Sequence, residues 1–129
     1  MYGAANGDAE ILDSGFDDET THSVEFSKDF TDNGSKVLSR ANLDFPKTFK
    51  TNSVYYYHKN GITPDHFEKN ENLTKFFRVL ATSRTDDGKK YVAIIESKDM
   101  KYPFFGTQFH PEKVLFERRA DVSFFVMIF

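Results

Sequence analysis

Three runs of apolar and aromatic residues in the second half of the chain constrain its fold more than any other feature. The first two, residues 76–82 and 90–96, flank an Asp-Asp-Gly triplet at residues 86–88. An Asp-Gly pair between two such runs is a strong signal for a β-hairpin. The third run, residues 104–109, ends immediately before His110. We therefore expect three consecutive strands that lead directly into this histidine.

Shorter signals predict the elements that precede the hairpin. The β-branched and aromatic run at residues 53–58 predicts a strand, and Gly61 should end it. Thr63 and Pro64 are typical of a helix start, because the hydroxyl can cap the helix and proline fits the first helical position. Phe67 should then turn toward the interior.

The first 50 residues carry weaker signals. Residues 35–40 and 44–50 predict two short helical pieces, since an early proline in the second costs no hydrogen bond. Residues 3–33 are acidic, and we expect irregular, exposed structure there, broken by short strands. Their spacing lacks the ligand pattern of an EF-hand, so we interpret them as a solvated acidic segment rather than a calcium site.

Composition limits the class of protein. A chain of 129 residues allows one domain, and 39% hydrophobic with 29% charged residues indicates a globular chain. Fifteen Phe and six Tyr predict a core rich in aromatic side chains. A net charge of −3 argues against nucleic acid as a partner. The longest apolar window, residues 122–129, is too short to span a membrane, and residues 1–8 do not resemble a signal peptide.

The chain contains no cysteine. Disulfides, thiolate metal sites and a cysteine nucleophile supplied by this chain are therefore excluded. We assign neither a metal site nor a cofactor from the sequence.

Two of the four histidines are candidates for chemistry. His110 follows a predicted strand and precedes Glu112 by two residues, so a carboxylate could orient the imidazole. A surface turn with an incidental histidine is the alternative interpretation. His58 ends the predicted strand at residues 53–58, where either a ligand contact or a half-buried structural histidine is expected. His66 and His22 are interpreted as surface residues.

Two tripeptides fit the N-glycosylation sequon. Asn33 begins the first and Asn72 the second. Such tripeptides also arise by chance, and they matter only if the chain enters the secretory pathway.

Read together, several segments closely resemble the γ-glutamyl hydrolases, a branch of the class I glutamine amidotransferase-like proteins. Residues 102–113 with 116–117 are similar to the catalytic histidine segment of that family. Residues 58–67 are similar to its second histidine segment, and residues 73–82 and 90–96 to the strands between them.

The resemblance implies an α/β fold, specifically the C-terminal part of a three-layer class I glutamine amidotransferase-like domain with a mixed sheet and short helices. The similarity covers roughly residues 35–117, and residues 3–32 match more loosely. We expect residues 1–117 to form a partial domain that lacks the nucleophile half, and residues 118–129 to be a divergent apolar tail.

The resemblance also implies an activity. The family consists of cysteine-type omega peptidases that hydrolyse γ-glutamyl bonds in folate and antifolate poly-γ-glutamates. By this resemblance His110 would be the general base, Glu112 its orienting carboxylate and His58 a substrate-side histidine. The family's cysteine lies upstream of all matched segments. We therefore expect a truncated, inactive form, and the alternative is a non-catalytic pseudoenzyme or binding module that keeps the γ-glutamyl pocket.

Location and assembly follow from the same resemblance. Members of the family are secreted or delivered to lysosomes or vacuoles, so we expect one of these destinations. Exposed sheet edges and the apolar tail at residues 118–129 favour association with a second copy of the chain.

Overall fold

The computed structural model of the protein describes residues 9–36 and 54–111. Of the helical piece predicted at residues 35–40, only the first two residues are described, and they are not helical. The piece predicted at residues 44–50 and the tail at residues 118–129 lie outside the described residues.

The described elements alternate between strands and short helices. They are, in chain order, a 3₁₀ turn at Ala9–Ile11, β1 (Asp13–His22), β2 (Glu25–Phe26), α1 (Lys28–Asn33), β3 (Val54–Gly61), α2 (Pro64–Lys69), α3 (Glu71–Phe76), β4 (Phe77–Arg84), β5 (Lys90–Ser97) and β6 (Phe105–Thr107). None of the described helices is long and apolar enough to cross a membrane.

The elements that the sequence predicted well are those whose turn and cap residues lie within or directly beside them. β4 and β5 pair antiparallel as a hairpin, and Gly88 in its turn has a φ of 89°, a left-handed conformation that suits glycine. Thr63 caps α2, whose first residue is Pro64, and Phe67 is buried as expected. The strand that follows the hairpin is shorter than predicted, since β6 covers only Phe105–Thr107.

The acidic N-terminal segment is more regular than predicted. It contains the ten-residue strand β1 and the helix α1. Ser27 caps that helix, because its hydroxyl accepts a hydrogen bond from the Phe30 N–H at 3.1 Å. The expectation of irregular structure was therefore wrong for these residues, whereas most of their described side chains are exposed or half-buried as expected.

The strands form two antiparallel sheets that meet near the two candidate histidines. β1 pairs with β3, and the other sheet has the order β2-β4-β5-β6. Among the described residues, two backbone hydrogen bonds join the segments of the two sheets: the Val92 N–H donates to the Ile62 carbonyl at 2.8 Å, and the His110 N–H donates to the Tyr55 carbonyl at 2.9 Å. The segment after β6 therefore lies directly beside β3.

Aromatic side chains fill the space between the sheets. Among the described residues, four Phe and three Tyr are buried. Tyr56 from β3, Tyr91 from β5 and Phe16 from β1 pack with their ring centroids 5.2–5.3 Å apart along the series. The expected aromatic-rich core is thus present in the part of the chain that the structure describes.

Candidate functional site

β3 places His58 inside this aromatic packing. The imidazole stacks on Phe16, with the ring centroids 5.5 Å apart, and meets Tyr91 edge-on at 5.1 Å. Both neighbours are buried, whereas His58 itself is half-buried. A β-bulge in β1 lies opposite, where Asp17 and Asp18 both pair with His58. The packing fixes the plane of the ring.

The polar contact of His58 is local. Its Nδ1 lies 3.0 Å from the carbonyl oxygen of Asn60, two residues further along β3. The ring is therefore held both by its aromatic neighbours and by the backbone of its own strand.

His110 is held by a different part of the same strand. Its backbone N–H donates to the Tyr55 carbonyl, and its Nε2 lies 3.3 Å from the Tyr57 carbonyl. The ring is half-buried, and its centroid is 6.3 Å from that of Tyr55. The main chain and the ring of His110 thus contact the backbone carbonyls of two alternate residues of β3.

His58 lies on β3 and His110 is bonded to β3, but the two rings have different neighbours. Successive side chains of a strand point to opposite faces. The two tyrosines that flank His110 therefore lie on one face of β3, and His58 lies on the other. The 5.6 Å separation of the Tyr56 and His58 ring centroids agrees with this alternation.

The remaining predicted site residues lie away from this strand or beyond the described chain. Glu112 is outside the described residues, so its contact with His110 stays a prediction. Asn72 is exposed on α3. Asn33 ends α1, and its amide donates to Asp29 at 2.7 Å. The hydroxyl of Ser35, the third residue of that sequon, is buried and donates to Glu96.

Comparison with known proteins identifies the family. The sequence profile of the class I glutamine amidotransferases matches residues 6–128. The chain belongs to this family. The predicted resemblance and the predicted fold class are thereby confirmed.

Within this family, the chain is similar to several gamma-glutamyl hydrolases. Gamma-glutamyl hydrolase 1 of Arabidopsis thaliana is 33% identical over 109 residues, which are 84% of this chain and 30% of the relative. Gamma-glutamyl hydrolase 2 of the same plant is 47% identical over 64 residues, 50% of this chain and 18% of the relative. Gamma-glutamyl hydrolase of Homo sapiens is 31% identical over 102 residues, 75% of this chain and 31% of the relative. The chain thus spans about a third or less of the length of these relatives.

The described part of the chain contains a buried ion pair that the sequence analysis did not predict. Glu96 on β5 is 0% exposed, and the Nε of Arg78 on β4 donates to its carboxylate at 2.8 Å. Arg78 also donates to Asp29 at 2.6 Å and to the Gly34 carbonyl at 2.7 Å. The backbone N–H of Lys36 binds the same carboxylate at 3.1 Å. This network ties the end of α1 to the β4–β5 hairpin.

The network shifts the pKa values of its outer members. Burial alone would lower the pKa of Arg78, but hydrogen bonds to Glu96 and Asp29 outweigh burial and raise it. The hydrogen bond from Asn33, followed by that from Arg78, lowers the pKa of Asp29. Arg78 and Glu96 are directly opposite each other in the β4–β5 hairpin. Opposite charges at two positions equally far from the hairpin turn are the sequence signal that could have revealed this pair.

The other two histidines differ in exposure. His22 is buried, which corrects its interpretation as a surface residue, because β1 carries it into the core beside Tyr56. His66 is partly exposed, with its Nδ1 3.1 Å from a carboxylate oxygen of Asp13. Among the described residues, no three His, Asp or Glu side chains are placed to hold a metal ion.

An open cleft lies elsewhere in the described structure. Its volume is about 570 Å³, and its lining includes Phe26, Phe67 and Arg78. Neither His58 nor His110 lines it. The cleft and the histidines are therefore separate features.

Proposed function

We propose that the chain carries the histidine part of a γ-glutamyl hydrolase site. His110 acts as general base toward a cysteine thiol, Glu112 orients its imidazole, and His58 contacts the substrate near the scissile γ-amide. The substrate class is the folate poly-γ-glutamates. The observation that carries the proposal is the double anchoring of His110 on β3, by its N–H on Tyr55 and its ring on Tyr57. A catalytic imidazole needs such a fixed position.

Catalysis needs a nucleophile that this sequence does not contain. With 0 Cys, the chain alone can form no thioester. Loss of one member of a nucleophile–base unit typically costs about 10³–10⁶ in rate. We therefore propose that the isolated chain is inactive. Glutamate release from a folate polyglutamate should equal that of the His110→Ala variant, and turnover above this control would contradict inactivity.

A chimera tests the proposed roles directly. Residues 54–117 of this chain would replace the matching segment of Arabidopsis gamma-glutamyl hydrolase 2, which is 47% identical over 64 residues and would supply the rest of the enzyme. We expect the chimera to release glutamate, and His110→Ala in it to lower the rate by about 10³ or more.

The histidine outside the proposed site provides the matched control. His66→Ala in the chimera should leave the rate close to that of the parent chimera, whereas His58→Ala should raise the KM. A folded chimera whose rate is unaffected by His110→Ala would contradict the assignment of the general base.

The absence of cysteine favours a second candidate, a binding module that keeps the γ-glutamyl pocket without chemistry. This candidate predicts that the full chain binds penta-γ-glutamate, with a heat that His58→Ala removes. Titration calorimetry on a monodisperse sample decides between a binding module and a chain with neither activity nor affinity.

We also propose delivery through the secretory pathway to a lysosome, a vacuole or the cell exterior. The two sequons support this proposal, and Asn72 lies exposed on α3. The chain expressed in a eukaryotic secretory system should lose mass on treatment with an N-glycosidase, and the double variant Asn33→Gln, Asn72→Gln should remove that change. A chain without any N-glycan would contradict the proposal.

A further inference from the structure

Lys89, which directly precedes β5, reaches the aromatic packing around His58. Its Nζ donates to the Ser14 carbonyl of β1 at 2.6 Å and lies 4.0 Å from the centroid of the Phe16 ring. A cation within about 6 Å of an aromatic face is attracted by the negative face of the ring. Phe16 in turn stacks on His58, with the ring centroids 5.5 Å apart. One ammonium group thus contacts the ring that supports the candidate substrate-side histidine.

We propose that Lys89 is a positioning residue for His58 and acts on it through Phe16. The ammonium holds the Phe16 ring in place, and this ring sets the plane of the imidazole. The positioning of His58 stands on these contacts alone, whereas its consequence for substrate binding rests on the proposed function. Lys89 itself is assigned no contact with the substrate.

A bulge in β1 gives Phe16 its contact with His58. β1 advances from residue 14 to 17 while β3 moves only from residue 60 to 58, so β1 contains one extra residue. Gly15 within this bulge has a φ of 86°, a left-handed conformation that suits glycine. Such a bulge redirects the side chains beside it, and the Phe16 side chain is buried. The bond from Lys89 to the Ser14 carbonyl therefore holds the residue at which the bulge begins.

The hairpin turn fixes the main chain of Lys89. Its N–H donates to the Thr85 hydroxyl at 2.9 Å, and its carbonyl accepts a hydrogen bond from the Thr85 N–H at 3.0 Å. Thr85 is itself buried at the end of β4. The main chain of Lys89 thus belongs to the β4–β5 hairpin, whereas its side chain contacts β1 of the other sheet. Lys89 therefore relates the position of His58 to the sheet that does not contain it.

The neighbouring lysine provides a matched control. Lys90 carries the same charge, but its Nζ lies 3.8 Å from a carboxylate oxygen of Glu25 on β2. Lys90→Met therefore removes one charge from the same part of the hairpin at a contact outside the Phe16 packing. A general effect of charge on the hairpin would appear in both lysine variants, whereas positioning of His58 would appear only at Lys89.

Nuclear magnetic resonance on the full chain tests the positioning role. Met can pack on an aromatic ring but has neither charge nor donor, whereas Arg keeps both. In Lys89→Met, the ring signals of His58 should move toward their positions in Phe16→Leu, which lacks the stacking ring. They should stay at the wild-type positions in Lys89→Arg and Lys90→Met, and His58→Gln assigns them.

One outcome separates positioning from simple stabilisation. If Lys89→Met lowers the melting temperature but leaves the His58 ring signals at their wild-type positions, Lys89 only stabilises the fold and the proposal is overturned. Equal displacement of these signals by Lys90→Met would overturn it as well.

Turnover gives a second measurement in a chimera that includes β1. Residues 9–117 of this chain would replace the matching part of Arabidopsis gamma-glutamyl hydrolase 1, which is similar over 109 residues. Lys89→Met should raise the KM by about 2- to 30-fold, the equilibrium effect of one cation–π contact, and should leave kcat nearly unchanged. Lys89→Arg should restore the KM, and Lys90→Met should not alter it. An unchanged KM in Lys89→Met would overturn the proposal.

The two measurements distinguish this inference from the proposed function. An active chimera in which Lys89→Met changes neither the KM nor the His58 signals would overturn the positioning role and leave the proposed function standing. A folded chimera without activity would contradict the proposed function, while displaced His58 signals in Lys89→Met of the full chain would still support the positioning role.

Discussion

Glu96 shows at the scale of single residues how a buried charge depends on its partner. The side chains of Glu96 and Arg78 are 0% and 12% exposed. Removing one member of a buried pair leaves the other charge uncompensated, so Glu96→Gln should lower the free energy of unfolding by about 3–5 kcal/mol. Urea denaturation measures this loss.

An exposed ion pair on α1 is the matched control for this prediction. The side chains of Lys28 and Asp32 are 86% and 50% exposed, and they pair four residues apart. Lys28→Ala should cost less than about 0.5 kcal/mol. Equal losses for Glu96→Gln and Lys28→Ala would show that the buried network contributes no more than a surface contact.

Asp29 predicts how stability changes with pH. Hydrogen bonds from Asn33 and Arg78 lower its pKa in the folded state. A carboxyl group whose pKa is lowered by folding contributes to the free energy of unfolding. This contribution is complete above the pKa of the unfolded state and is lost as the pH falls through the pKa of the folded state. Because the side chain is 47% exposed, the contribution should be below about 1 kcal/mol. Asp29→Asn should be less stable at pH 7 and lose less stability below pH about 4.

A companion variant checks the cause of that shift. Asn33→Ala removes the hydrogen bond that lowers the pKa of Asp29 most. Like Asp29→Asn, this variant should lose less stability than the wild type as the pH falls. Wild type and Asp29→Asn with identical stability profiles between pH about 2 and 5 would contradict the prediction.

At the scale of elements, the contact between β3 and β1 depends on a glycine. A Cβ at Gly61 would lie 3.1 Å from the ring of Phe16, which is buried and stacks on His58. Gly61→Ala should therefore displace the ring and cost about 1–3 kcal/mol. Leu at position 16 would leave more space for the added methyl group. Gly61→Ala should therefore cost less in the Phe16→Leu variant than in the wild type. Additive losses in urea denaturation would contradict the close contact.

Elements with local signals were predictable from the sequence, and elements defined by distant contacts were not. The hairpin and α2 follow from the residues of their own turns and caps, such as Gly88 and Thr63. Short strands were expected near β1, but its full ten-residue length was not, because that strand depends on pairing with β3, far along the chain. Ser27, which caps α1, lies in the segment that the sequence analysis interpreted as irregular, so the helix was not predicted.

The same distinction applies to the candidate site. His58 and His110 could be named from the sequence because their segments resemble a family. What holds them could not, since the partners are backbone carbonyls, which leave no trace in residue types. The catalytic roles of His110 and Glu112 remain predictions.

At the scale of the whole molecule, an exposed aromatic patch predicts association. Phe76, Tyr102 and Phe104 are 52–62% exposed, and backbone bonds from Lys98 to Phe76 and from Ser97 to Phe104 bring their segments together at one end of β5. Such patches favour contact between copies. Phe104→Ser should shift sedimentation velocity profiles toward the monomer, whereas Leu12→Ser, an exposed residue outside the patch, should not. Unchanged association in both variants would contradict this role.

The line along which the two sheets meet also has a consequence for motion. The bonds that join the sheets include the amides of Val92 and His110, whereas the β4–β5 hairpin is bonded along seven residue pairs. Regions with fewer bonds open more easily by local unfolding. Amide hydrogen exchange should therefore be faster at His110 than in the middle of β5. The candidate general base would then lie on a hinge between two more stable halves, and a ligand that contacts both sheets would slow its exchange.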